Sequence, residues 1–195
     1  MKWLLNLIKL FFTEPIVQVN HPKPKDKETK SYILDHDKEL FKGPFRKFKT
    51  IVLHHSLTPD QETKDWDAIK KYHINVNGFS DIGYHFGVEK VHGKFMIFQG
   101  RPLNRVGAHA GVKGVSNKYN TEGLGILLVG NFDLTEPSKN AYAVLAKIVK
   151  KCMIVFDISV DDVIGHRDVY DRLNIPRQKT CPGALFDIEK FKHLL

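Results

Sequence analysis

The sequence predicts an α/β domain, a central mixed β-sheet flanked by helices, preceded by an amphipathic N-terminal helical extension. Three observations predict it. Short β-branched apolar runs alternate with segments of helical spacing, and the interleaving shows no internal repeat. With 42% hydrophobic and 27% charged residues among 195, the chain has enough apolar material for one sizeable core.

The elements follow in chain order. In residues 1–12 the polar positions are Lys2, Asn6 and Lys9, with Thr13 next, which a helix places on one narrow face. Trp3, Leu4, Leu7, Ile8, Phe11 and Phe12 cover the rest. Such a helix is about 18 Å long, too short to span a bilayer. It fits packing on the protein's own surface or lying in a membrane interface. A secretory signal fits less well, because Thr13-Glu14-Pro15 lacks the small residues of a cleavage site. Residues 20–31 carry two prolines, four lysines and two acids without one hydrophobic residue, and read as an extended linker. The chain thus divides into an amphipathic segment 1–19, a charged linker 20–44 and a folded domain 45–195.

Within that domain, residues 50–55 form an apolar run entering a polar turn, as in a buried central strand. Residues 65–76 have helical spacing, with Trp66, Ile69, Tyr72 and His73 on one side and a stop near Gly78. Residues 84–88 and 94–99 read as strands joined by a turn at His92-Gly93, and residues 123–130 as another strand. Residues 140–156 make a long helix whose Ala141, Leu145, Ile148 and Cys152 share a face, and residues 187–194 a short terminal one.

Charge narrows the partners. Lys and Arg number 30 against 22 acids, a formal +8, and residues 1–50 hold eleven basic against six acidic residues. That surplus admits nucleic acid, an anionic membrane or an anionic wall polymer. Nucleic acid is the poorest fit, since the lysines lie in a linker without interleaved stacking aromatics. Two cysteines exclude a disulfide framework.

Among ten histidines, position singles out two. His54 ends the predicted central strand, and His166 sits in Gly165-His166-Arg167-Asp168. Cys181 lies in Lys179-Thr180-Cys181-Pro182-Gly183. Two imidazoles and a thiolate are a set that holds catalytic zinc with the fourth position left open. A cysteine nucleophile with His166 as its base is a second reading, and buried structural histidines beside a core thiol a third.

Motifs in a fixed order extend the picture: Ile51-Val52-Leu53-His54-His55-Ser56; Gly78-Phe79-Ser80-Asp81-Ile82-Gly83-Tyr84-His85-Phe86; Val106-Gly107-Ala108-His109-Ala110-Gly111; Tyr119-Asn120 through Gly130-Asn131-Phe132; and the two stretches around His166 and Cys181. From about residue 48 onward the chain resembles the zinc-dependent type-2 N-acetylmuramoyl-L-alanine amidases. That superfamily includes the lysozyme-like amidases of bacteriophages and the peptidoglycan-recognition proteins of animals. The resemblance implies Zn²⁺ held by His54, His166 and Cys181. It implies that Tyr84 lies beside the attacking water and that Lys179 takes the place of the phage enzymes' catalytic lysine. His109 and Asn120 match positions lining the substrate groove. His55 is expected on the opposite face of its strand as a hydrogen-bonded core residue, with His73 and His85 structural. Arg167 and Asp168 are expected to pair beside His166, and Cys152 to be inert core.

The implied partner is peptidoglycan, cleaved between N-acetylmuramic acid and L-alanine by a monomeric phage-type endolysin. Such an enzyme is made in the cytoplasm and acts on the wall, with secretion as the other location. Residues 1–12 are then an accessory contact to an anionic membrane or envelope. Two rival readings are a peptidoglycan-binding protein without hydrolysis and a membrane-active antibacterial protein acting through its N-terminal helix.

Overall fold

The computed structural model describes residue 41, residues 44–58 and residues 65–195. The expected helix in residues 1–19 and nearly all of the linker 20–44 lie outside the described residues. Five strands form one sheet in the order β3-β2-β4-β1-β5: β1 (Thr50–His55), β2 (Phe86–Val91), β3 (Lys94–Gln99), β4 (Gly123–Leu128) and β5 (Val163–Gly165). β1 runs parallel to both β4 and β5, and β2 parallel to β4, while β2 and β3 form an antiparallel hairpin. The sheet is therefore mixed, as expected. Helices α1 (Trp66–Asn75), α2 (Lys118–Thr121), α3 (Lys139–Phe156), α4 (His166–Arg172) and α5 (Ile188–Lys192), with a 3-10 turn at Val160–Asp162, complete the described elements.

Strand alternation sorts side chains onto two faces. Ile51, Leu53, Leu124, Ile126 and Leu128 join the main core with Leu145, Ile148, Val149 and Cys152 of α3. Ser138 caps α3 by accepting from Ala141 N–H at 3.2 Å, and Asp157 ends it at φ 54°. Phe41 packs on this core as well, its ring centroid 6.0 Å from that of Phe86 and 6.2 Å from that of Phe156. The opposite face carries Val52 with Ala110, Tyr119 and Tyr170, and Leu127 with Trp66 and Phe98. That second face holds the polar cluster described below.

Several elements depart from the sequence reading for identifiable reasons. β2 begins at Phe86 rather than Tyr84, although His85 still bonds to both neighbours, its N–H donating to Gly125 O and its carbonyl accepting from Gly100 N–H. It continues to Val91 through Glu89, which is buried because one carboxylate oxygen accepts from Trp66 N–H at 2.7 Å. In α1, Asp65 caps the helix, accepting from Ala68 N–H at 2.9 Å. Tyr72, however, turns outward and is 56% exposed, so the buried stripe narrows to Trp66 and Ile69. β5 and α4 lie between residues 157 and 186, a stretch to which the sequence reading assigns no element.

His85 illustrates what burial does to this fold's histidines. It is fully enclosed, its Nδ1 accepting from Gly125 N–H at 3.0 Å while Nε2 lies 3.4 Å from Arg105 O. Burial depresses its pKa from 6.5 to about 4. The unfolded chain then takes up the proton first, so stability held above pH 6.5 drains away as the pH falls towards 4. Unfolding by urea at pH 7 and pH 4 is expected to differ by about 3 kcal/mol from this residue alone. The difference should shrink in H85Q.

Candidate metal centre

Two neighbouring parallel strands deliver the two histidines. β1 pairs with β5 in the register Leu53↔Gly165, so His54 at the end of β1 and His166 just beyond β5 emerge side by side. Their ring centroids are 4.7 Å apart. Cys181 arrives from the segment between α4 and α5, tied on by a 2.7 Å hydrogen bond from Arg167 N–H to its carbonyl. Its Sγ lies 3.6 Å from His54 Nδ1. One ligand atom from each of His54, His166 and Cys181 falls within 4.8 Å of the other two, and all three residues are buried.

The donor set fits a zinc ion on the chemistry of its own atoms. His166 Nε2 is buried with no hydrogen-bond partner, a costly state for a nitrogen unless something else takes its lone pair. Burial, reinforced by His166, His109 and Lys179, holds the pKa of His54 well below 6.5. Burial and then Lys179 bring His166 down to about 4. Both imidazoles are thus neutral ligands at physiological pH. Burial pushes the Cys181 thiol up to about 12, against the opposing pull of the His55 backbone N–H and Lys179. A thiol so placed gives up its proton to a dication, as a zinc ligand must.

The other expected residues gather around this cluster. The Tyr84 ring centroid is 5.0 Å from that of His54, and burial followed by the charge of Cys181 raises its phenol far above the ordinary value. Lys179 is exposed, yet close enough for its charge to act on His54, His166 and Cys181. A cleft of about 770 Å³ lies beside Cys181, lined also by His55, Leu57, Arg167, Arg177 and Lys179, while His54, His166 and Tyr84 are not part of its lining. Arg177 is committed to Asp171 and Asp168.

His55 points to the opposite face, where Nδ1 accepts from Phe132 N–H at 3.2 Å. His73 accepts from Gly83 N–H at 3.0 Å. Asn120 Oδ1 accepts from the N–H groups of His109 and Ala110 at 2.7 and 2.8 Å, and so staples the loop that carries His109. The His109 ring lies beside His54, with Nδ1 2.9 Å from His54 Nε2 and Nε2 3.2 Å from Gly123 O.

Arg167 has a larger part than an ion pair. Its contact with Asp168 is a loose 3.9 Å, whereas its guanidinium donates to the carbonyls of Gly183 at 2.5 Å, Phe186 at 2.9 Å and Thr180 at 3.4 Å. It braces the Cys181 segment from both sides. Asp168 instead accepts from Gly165 N–H at 2.8 Å, capping α4 directly at His166. Asp133 adds a second brace that sequence reading missed, accepting from Ala184 N–H at 2.7 Å and Thr180 Oγ1 at 2.9 Å. Its only sequence signal is its place beside Gly130-Asn131-Phe132. Substituting Arg167 by Met should strand these carbonyls and cost about 2–4 kcal/mol of stability, read by urea unfolding. Zinc retention against a chelator is expected to fall with it.

Comparison with known proteins gives a consistent set of relatives. The family model of N-acetylmuramoyl-L-alanine amidase (Amidase_2) matches residues 44–184. Peptidoglycan-recognition protein LB of Drosophila melanogaster is 31% identical over 155 residues, covering 75% of this chain and 58% of that protein. N-acetylmuramoyl-L-alanine amidase of Sus scrofa is 26% identical over 148 residues, covering 71% of this chain but 22% of that protein. The chain thus spans less than two thirds of these curated relatives. Among solved structures, the endolysine N-acetylmuramoyl-L-alanine amidase LysCS from Clostridium intestinale URNW superposes with a TM-score of 0.60 at 30% identity. That match covers 76% of this chain and 83% of the other.

Proposed function

Since the chain belongs to the N-acetylmuramoyl-L-alanine amidase family, we propose that it is a zinc-dependent peptidoglycan hydrolase. The bond cleaved is the amide between the lactyl group of N-acetylmuramic acid and L-alanine of the stem peptide. The convergence of one ligand atom from each of His54, His166 and Cys181, all buried and within 4.8 Å of one another, carries this reading. When bound, zinc lowers the pKa of water towards about 7 and polarises the scissile carbonyl.

The chain's own residues supply the rest. Tyr84, kept protonated by burial, donates a hydrogen bond to the water or the carbonyl oxygen and orients it. Lys179 places a positive charge where the carbonyl oxygen becomes negative. The cleft beside Cys181 receives the stem peptide on the Lys179 side. His109 and Asn120 shape the groove wall on the other, with Asn120 acting through the loop it staples.

The resemblance to the Clostridium endolysine amidase supports a wall-lysing role, and the form we propose for it is a monomeric phage-type enzyme, made in the cytoplasm and acting on the wall. Residues 1–12, outside the described residues, are proposed to add contact with an anionic membrane or envelope. Mass spectrometry of purified wall digested by zinc-loaded protein tests the proposal. Free L-alanine amino termini on released stem peptides are expected. Binding without release would establish a peptidoglycan receptor instead, and lysis of whole cells with intact wall a membrane-active protein.

A further inference from the structure

We propose that His109 is a positioning residue for the metal, fixing the tautomer and orientation of His54 before any ion arrives. The inference rests on the reading of His54 as a zinc ligand. Its geometry is a three-member relay across the sheet face: Gly123 carbonyl, His109 ring, His54 ring. A carbonyl oxygen only accepts, so His109 Nε2, 3.2 Å away, must carry the proton of that ring. In the neutral ring Nδ1 is then an acceptor, and the atom facing it at 2.9 Å is His54 Nε2. His54 Nε2 must therefore donate, which leaves the lone pair of His54 on Nδ1. Nδ1 is the atom that faces Cys181 Sγ at 3.6 Å. A neutral His109 also suits its position, because an imidazolium there would repel a dication.

The relay is held in place by the close packing around the His109 ring. The His109 ring is wedged between two glycines: a Cβ at Gly107 or Gly125 would come within 2.5 or 2.6 Å of it. Gly125 sits opposite Val52 in the ladder, so a missing side chain in a central strand makes the space for the ring. Asn120 clamps the backbone on either side of the His109–Ala110 peptide. The ring has no freedom to rotate away, and so neither does the donor direction of His54.

Two substitutions separate the relay from mere filling of space. The amide oxygen of H109N comes near the place of Nδ1, so it keeps an acceptor for His54 while abandoning Gly123. The longer H109Q keeps a donor for Gly123 and loses the acceptor. Partners behind a metal ligand typically control affinity by about 10–100-fold. Zinc affinity, measured by chelator competition, is expected to drop by about that factor in H109Q and to stay within about threefold of the parent in H109N. In the zinc-free parent, two-bond proton–nitrogen correlation spectra should show His54 as the Nε2–H tautomer, and H109Q should show a mixture. Equal affinities in the three proteins, the reverse order of the two variants, or an Nδ1–H tautomer in the parent would overturn the proposal. A parent that binds no zinc refutes the metal reading itself, and the relay with it; tight binding by the parent with unaffected variants refutes the relay alone.

Discussion

Replacing Cys181 by serine is expected to abolish zinc binding and wall hydrolysis together. The thiol is the sole ligand of the three that brings a negative charge to the ion, since both histidines are held neutral by burial. A serine hydroxyl does not ionise at the pH where a metal displaces the thiol proton, so the site would keep two neutral nitrogens and no anion. The loss should exceed the roughly 100-fold that changes behind a ligand produce. The fold should survive, because Arg167 and Asp133 grip the segment through its neighbours rather than through the sulfur. Metal content after dialysis, circular dichroism and release of stem peptides decide the point. Full hydrolysis by metal-free C181S would refute the zinc mechanism.

Replacing Lys179 by alanine is expected to separate chemistry from metal binding. The side chain is exposed and not among the ligand atoms, yet its charge reaches both histidines and the cysteine. Loss of one group stabilising an oxyanion typically lowers turnover by about 10²–10³. K179A should show that decrease with zinc stoichiometry intact. Its zinc affinity should rise slightly, since a positive charge near the ion has been removed. A merely solvated loop lysine predicts turnover unchanged, and parallel rate and metal measurements distinguish the two.

Much of this was legible because it lies in local pattern. The run Thr50–His55 is apolar and β-branched enough to be a central strand, and α3 has a long apolar face with Cys152 on it. That His54, His166 and Cys181 come together was legible through the family resemblance, whereas spacing alone left a cysteine nucleophile and structural histidines open. Other features escaped for physical reasons. β5 has three residues, too few to show a period, so the sequence reading assigns no element where His166 is presented. Glu89 interrupts an apolar pattern, though a backbone N–H satisfies it inside the strand.

The residues around the ligands were the hardest to read. Arg167 beside Asp168 in sequence invites an ion pair, but its real partners are carbonyls 13 to 19 positions away. The His109–His54 contact joins segments 55 residues apart, and nothing in either segment announces it. Side chains that support a ligand are chosen by tertiary neighbours, so their types alone say little of their role.

The bracing of Cys181 has a consequence for how this protein should age and fail. His54 and His166 are mounted on the sheet, but Cys181 depends on Phe186, whose ring meets those of Phe132, Tyr142 and Phe191. Phe191 belongs to α5, the last helix of the chain. The Cys181 segment is thereby coupled through this aromatic cluster to α5, whose residues do not line the cleft. Damage there would also reach the sheet, because Ile188 and Phe191 share the main core with β1 and β4, and α5 packs on β5, the strand that presents His166.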